Sequence, residues 1–357
     1  MGGTDTIDPG PAERTEVFNV TRLVSAELGL DISHVQRAGE GEVNRVYFAQ
    51  GDDDRQLIIR LQDKSPDIAR RQQAVLDRCE EAGVPVPHTI ALKTFRKEDM
   101  PDARTRSIVV QDRLKGYSLD DRKHGARTEA NFWKAGATIA NLHNIPANGH
   151  GPITFSDQDN PSFTDKIKGF ADTEHYKVVH DVIKSFGISE EVLDFALSAA
   201  AQRAKLVDQH SGSLLHGDLK PEHIFIGAGK KGDYVSGIID WDNAAAGDPM
   251  YDIVWMRTNS RVSDGELGAL LSGYESVRGL GDDVVDRFQV LALDIALSSI
   301  AYFGSGKNLA EAKKSSEAHL RWHIENFLRR VEFFRSGSEF DEDTDPIHFY
   351  RRNHPAS

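Results

Sequence analysis

The stretch LLHGDLKPEHIFIG, Leu214 to Gly227, sets His216, Asp218, Lys220 and His223 between two apolar runs, at a spacing that neither a helix nor a strand requires. Such a pattern calls for a loop pinned between two covered segments, with its polar groups left reachable. Downstream, an apolar strand in YVSGIIDW ends at Asp240, with Asp242 just beyond it. As chemistry alone, two histidines and these carboxylates fit either a metal-hydrolase cluster or a phosphotransfer site. The two make different demands upstream. A hydrolase needs several converging ligands and no nucleotide apparatus, whereas phosphotransfer needs a glycine turn and a cation to hold phosphates. The second set is present: GEGEVN, Gly39 to Asn44, is a glycine turn between strands, and Arg60 stands on the next strand. Each is weak alone, and it is their order along the chain that favours phosphotransfer.

With 357 residues the chain is long enough for two lobes, each with its own core. No apolar stretch approaches the roughly 18 residues of a membrane span. The single cysteine, Cys79, excludes an intrachain disulfide, and the N-terminus lacks a basic region followed by an apolar one. The expected location is therefore cytoplasmic, with no membrane partner. A net charge of −13 argues against nucleic acid, which would demand a basic face, and favours a cationic small molecule.

Residues 1–13 read as a flexible tail, followed by an amphipathic helix that begins at about 14 and carries Val17, Val20, Leu23, Val24 and Leu28 at near-helical spacing. SHVQRAGEGEVNRVYFAQ reads as strand, turn and strand, and RQLIIRLQ as a third strand. A helix over 67–82 stops at Gly83, VPVP forces extended chain, and TIALKTF and RSIVVQDRL are two more strands. This gives a first lobe over 14–114. Helices dominate a second lobe over 115–335: EANFWKAGATIANLH sets Phe132, Gly136, Ile139 and His143 on one buried stripe, where His143 is expected to be a satisfied core histidine. HIFIG, AGKKGD and YVSGIIDW form a hairpin within that lobe, and 336–357 reads as a polar tail.

Together, LLHGDLKPEHIFI, GIIDWDNAAAGDPMYDIVWM, GEGEVNRVYF, AGVPVP and the hinge-like IVVQDRLKG resemble the aminoglycoside phosphotransferase family, over residues 32–335. The resemblance implies an α+β, bilobal protein-kinase-like fold, with a small antiparallel-sheet lobe, a larger helical lobe and the nucleotide between them. It implies transfer of the γ-phosphate of ATP or GTP to a hydroxyl of a small molecule, with Mg²⁺ as cofactor, by a monomer or dimer. By the same resemblance Asp218 is the catalytic carboxylate, Asp240 a metal ligand, and His216 a scaffold residue. Gly41 and Asn44 of the glycine turn, Arg60, Gln72, and the hinge residues Gln111, Asp112 and Leu114 fall at nucleotide-binding positions. DLKPE repeats the catalytic loop of protein serine/threonine kinases, which gives Lys220 a charge-neutralising role beside Asp218. WDNAAAG, between Asp240 and Asp248, is too short to seat a polypeptide, so the acceptor is expected to be small. Asp248, with Pro249 after it, is placed to cap the next helix, and the family's equivalent aspartate buttresses the catalytic loop; Asp252 reads as structural.

Three positions depart from the common pattern. Arg60 replaces the lysine of protein kinases and keeps the charge. Gln72 stands where a pairing glutamate is expected, with Asp67 as a possible substitute. His223 occupies the place of the usual metal-binding asparagine, although Mg²⁺ prefers hard oxygen ligands. Macrolide phosphotransferases and a gentamicin-type branch of the family carry histidine there, and both include enzymes that prefer GTP. The histidine therefore implies an antibiotic-resistance kinase for an aminoglycoside or macrolide. A metabolite kinase of the same fold, or a non-catalytic nucleotide-binding protein, are the alternatives.

Overall fold

A computed structural model describes residues 11–38, 45–52, 54–99, 104–153, 160–210, 212–305, 315–336 and 350. They fall into two compact units, Met1–Glu80 with Val86–Lys115, and Glu81–Pro85 with Gly116–Ser357.

The first unit is a five-stranded antiparallel sheet in the order β1-β2-β3-β5-β4. Its strands are β1 (Ile32–Arg37), β2 (Arg45–Gly51), β3 (Gln56–Gln62), β4 (Thr89–Thr94) and β5 (Ser107–Asp112). Period-2 alternation explains the central strand: Leu57, Ile59 and Leu61 are buried, while Ile58 and Arg60 between them lie on the other face, half-buried. Val20 and Val24 of helix α1 (Pro11–Leu28) join Tyr47, Ile59, Leu61, Ile108 and Val110 in the core. Helix α2 (Pro66–Glu81) buries Ala69, Gln72, Val75, Leu76 and Cys79. It ends before Gly83, whose φ of 73° suits a residue without Cβ. Helix α1 corrects the expected tail: it begins at Pro11, because proline suits the first helical position, where its missing N–H is not needed.

The second unit is mainly helical and carries two small sheets that frame the opening loop. One has the order β7-β11-β8, with β7 (Gly151–Pro152), β8 (Ser213–Leu215) and β11 (Ala245–Gly247). The other has the order β10-β9-β6, with β6 (Tyr117–Ser118), β9 (Ile224–Gly229) and β10 (Gly232–Ile238). The loop runs from the end of β8 to the start of β9, through a 3-10 turn at Pro221–His223. After the β9–β10 hairpin the chain returns along β8, with Ala245 opposite Leu215. That pairing, and the bond from Ile239 N–H to the His223 carbonyl at 2.9 Å, bring the loop and the residues after β10 side by side.

Helix α3 (Glu129–His143) is capped by the Thr128 hydroxyl and packs on α8 (Asp264–Glu275), itself started by a capping box between Ser263 and Glu266. Their closeness depends on two glycines. A Cβ on Gly136 would lie 1.9 Å from the Leu270 carbonyl oxygen, and one on Gly273 1.8 Å from that of Trp133. Helix α4 spans Phe163–Gly169, α5 Glu174–Ser185, α6 Glu190–His210 and α7 Met250–Asn259. Helix α9 (Val284–Gly304), buried along most of its length, packs against α5, α6, α7 and α10 (Ser315–Ser336). The expected C-terminal tail is corrected at its one described residue beyond α10: Tyr350 is 3% exposed, and its hydroxyl donates to Glu275 Oε2 at 2.6 Å. Burying the ring removes apolar surface from water while the bond satisfies the hydroxyl.

Candidate active site

The loop owes its shape to groups beneath it. Gly217 has φ of 82°, and a Cβ there would meet the Asn243 carbonyl oxygen at 2.0 Å, so only glycine fits. The main-chain N–H groups of His216 and Gly217 donate to the two oxygens of Asp252, at 2.8 and 2.9 Å. Asp252, on α7 and fully buried, also accepts from His143 Nε2 at 3.0 Å; His143 Nδ1 lies 3.1 Å from the Tyr274 hydroxyl. Burial pushes the Asp252 carboxyl up, but the bond from His143 and the histidines around it outweigh this and hold it below the usual range.

His216 and His223 donate through opposite ring nitrogens. His216 Nε2 lies 2.8 Å from the Ile239 carbonyl, which can only accept, so the proton sits on Nε2, and Nδ1 accepts from Asp218 N–H at 3.3 Å. Burial pushes this imidazole below its ordinary pKa and keeps it neutral. His223 Nδ1 lies 2.9 Å from the Asp218 carbonyl and must donate to it. Its Nε2 lies 3.6 Å from Asp240 Oδ2.

Asp218, His223 and Asp240 each bring one ligand atom to within 4.8 Å of the others. Asp240 holds φ of 68° and ψ of 60°, a left-handed conformation that costs a non-glycine residue about 1–3 kcal/mol and clusters at functional sites. Lys220 Nζ stands 3.1 Å from Asp218 Oδ1, and Trp255 Nε1 donates to the same oxygen at 2.7 Å. The second unit thus gathers Asp218, Lys220, His223 and Asp240. Carboxylates beside an imidazole nitrogen suit a divalent cation, and the adjacent ammonium suits a phosphate oxygen.

In the first unit, Arg60 sits on β3 opposite Val46 and Val109. Gln72 is buried and accepts from Gln62 Nε2 at 2.9 Å, while Gln62 accepts from the Ser107 hydroxyl at 2.9 Å. Asp67, the substitute considered for Gln72, is solvent-exposed and pairs with Arg70 at 3.0 Å. Gln111 is buried against Thr89, Nε2 to Oγ1 3.1 Å; Asp112 lies 3.6 Å from Arg55; Leu114 is half-buried. Gly41 and Asn44 lie outside the described residues.

Two site residues escaped sequence reasoning. Asp252, read as merely structural, is the carboxylate that buttresses the loop. Asp248, to which that task was assigned, is fully buried; it accepts from Met250 N–H at 2.8 Å at the start of α7 and is gripped by Arg287 at 2.7 and 2.9 Å. Trp255 carried no signal, being one apolar residue in an apolar run. Of the acidic residues on α5 and at the start of α6, Glu174 pairs with Lys177 at 2.6 Å, and both Asp181 and Glu190 lie near His180, at 3.3 and 3.6 Å.

A family model described as "Phosphotransferase enzyme family" matches residues 34–285. Among solved structures, a thermostable mutant of aminoglycoside phosphotransferase APH(4)-Ia, in ternary complex with ADP and hygromycin B, superposes with a TM-score of 0.65 at 16% identity, over 90% of this chain and 99% of that one. The GDP complex of a mutant aminoglycoside 2'-phosphotransferase-IIIa gives 0.58 at 16% identity, over 90% and 99%. A microcompartment-associated aminopropanol kinase gives 0.62 at 17% identity, over 89% and 98%. These similarities establish the protein-kinase-like fold. No curated protein matches the sequence. Among the described residues, no helix is long and apolar enough to cross a membrane.

Proposed function

Since the chain belongs to the phosphotransferase enzyme family, we propose that it transfers the γ-phosphate of ATP or GTP to a hydroxyl of a cationic small molecule, an aminoglycoside or macrolide antibiotic. The convergence of Asp218, His223 and Asp240, with Lys220 against Asp218, carries the reading. Asp218 orients the acceptor hydroxyl and takes its proton as the acceptor oxygen bonds to the γ-phosphorus. The bond from that phosphorus to the bridging oxygen breaks, and the nucleoside diphosphate leaves. General-base help of this kind is worth about 10²–10⁴-fold in rate. Lys220, within reach of the same carboxylate, neutralises charge on the transferring group.

His223 Nε2 and Asp240, beside Asp218, are the donors that would hold Mg²⁺, which when bound neutralises phosphate oxygens. In the first unit, Arg60 on β3 is the proposed phosphate contact, with the hinge residues Gln111, Asp112 and Leu114 proposed for the base.

The aminopropanol kinase among the similar folds supports a second acceptor class, a metabolic amino alcohol. Radiolabelled γ-phosphate transfer from ATP and GTP, screened against aminoglycosides, macrolides and hydroxylated amines, separates the two. Label on an antibiotic supports the first reading and label on a simple amino alcohol the second. Label on no acceptor, with a folded protein, would count against both.

A further inference from the structure

Helix α7 addresses the loop at two points. Asp252 fixes its main chain through the N–H groups of His216 and Gly217, and Trp255 reaches the side chain of Asp218 through its indole N–H at 2.7 Å. The two lie three positions apart, on one face of the helix. The other indole bonds described are different in kind: Trp241 donates to the Ile238 carbonyl at 2.9 Å and Trp322 to that of Thr258 at 2.8 Å. Those serve packing alone, whereas a bond to a carboxylate is charge-assisted and directional.

The bond also divides the carboxylate. Oδ1 receives Trp255 at 2.7 Å and Lys220 at 3.1 Å, while among the described residues Oδ2 receives Lys220 alone, at 3.3 Å. Half-buried Trp255 cannot easily swing away, because its ring stacks on Tyr251 with centroids 6.1 Å apart and planes 19° from parallel. A carboxylate whose one oxygen is held from a helix that also holds its backbone has a restrained rotation, with the second oxygen left to the Lys220 ammonium.

We propose that Trp255 is a positioning residue for phosphoryl transfer. Its indole N–H occupies Oδ1 of Asp218 and thereby presents Oδ2 to the acceptor's hydroxyl proton. The proposal rests on the reading above, in which Asp218 takes that proton.

The test compares wild type, Trp255→Phe, Asp218→Ala and the double variant, in steady-state transfer to whichever acceptor is labelled. Trp255→Phe keeps an aromatic ring and removes the N–H. A second variant, with benzothienylalanine placed at 255, replaces the N–H by sulfur and keeps the shape. Both should lower kcat by about 10- to 100-fold while the KM values for acceptor and nucleotide change by less than about threefold. In the Asp218→Ala background the Trp255 change should cost nothing further, a non-additivity that a purely structural role would not produce. If wild type and Asp218→Ala transfer equally, the reading of Asp218 fails. If Asp218→Ala is inactive but both Trp255 variants keep the wild-type kcat, or lose activity only by unfolding or by weakened substrate binding, the positioning role is overturned.

Discussion

His223 donates its Nδ1 proton to the main-chain oxygen of Asp218 at 2.9 Å, and this bond turns its other nitrogen toward the carboxylate of Asp240, at 3.6 Å. The proposed metal ligand is thus held by the residue whose side chain is proposed for the chemistry. In the proposed site, loss of that nitrogen should weaken the metal. Loss of an outer-shell partner alone typically costs about 10–100-fold in metal affinity, so His223→Ala should cost at least as much. His223→Asn, which supplies an oxygen, should restore binding of Mg²⁺ better than of Mn²⁺. Calorimetric titration of each metal in the presence of a non-hydrolysable nucleotide checks this; unchanged affinity in His223→Ala would remove His223 from the metal site.

Asp252 is the single acceptor for three donors of the buried loop support. Asp252→Ala leaves two main-chain N–H groups and His143 without it, and should destabilise the protein by about 3 kcal/mol or more. Urea unfolding reads the loss as a fall in midpoint at unchanged slope. A midpoint equal to wild type would mean that the loop does not depend on this carboxylate.

Three buried histidines set an acid limit. Burial first, and the Lys166 ammonium second, push His150 down to about 4, burial and then His319 do the same to His323, and burial lowers His216. Each folded-state value lies below the unfolded one, so the stability is complete above the unfolded pKa of 6.5 and is lost as pH falls from there; for His150 and His323 the loss levels off below about 4. At pH 5 the loss is about 2 kcal/mol for each of His150 and His323, from about 1.4 kcal/mol per pH unit. Asp252 adds nothing in this window, because a depressed carboxyl withdraws its contribution only below the ordinary carboxylate range. The thermal midpoint should drop by about 5 °C or more between pH 7 and pH 5; a flat profile there would contradict the buried neutral state of these rings.

The α3–α8 contact makes opposite forecasts for two glycines of one helix. Gly273→Ala pushes a methyl into the Trp133 carbonyl and should cost about 2–3 kcal/mol as the helices separate. Gly268 has nothing within 4 Å of a would-be Cβ, so Gly268→Ala should stabilise by about 0.5–1 kcal/mol through helix propensity. Chemical denaturation of both checks the pair, and a neutral Gly273→Ala would show that the helices do not need that approach.

The elements themselves were legible where local pattern decides them. The spacing of Phe132, Gly136, Ile139 and His143 marks α3 from Glu129 to His143, and the alternation in RQLIIRLQ marks β3. Asp218 and Asp240 are likewise readable, because each terminates or follows an apolar strand in a recognisable order. What stayed hidden depends on pairs far apart in the chain. His143 and Asp252 are 109 positions apart, and Trp255 and Asp218 are 37 apart. Local periodicity carries no information about such partners, so Asp252 and Trp255 looked like ordinary members of an apolar helix. Asp248 was given the wrong task for the same reason: its partner Arg287 comes 39 positions later.

The most direct measurement is single-turnover transfer of γ-phosphate by wild type beside Asp218→Ala, with the nucleotide and acceptor found in the screen. The account predicts that the variant still folds and binds nucleotide while its transfer rate falls by about 10²–10⁴-fold. Equal rates in the two proteins would contradict it.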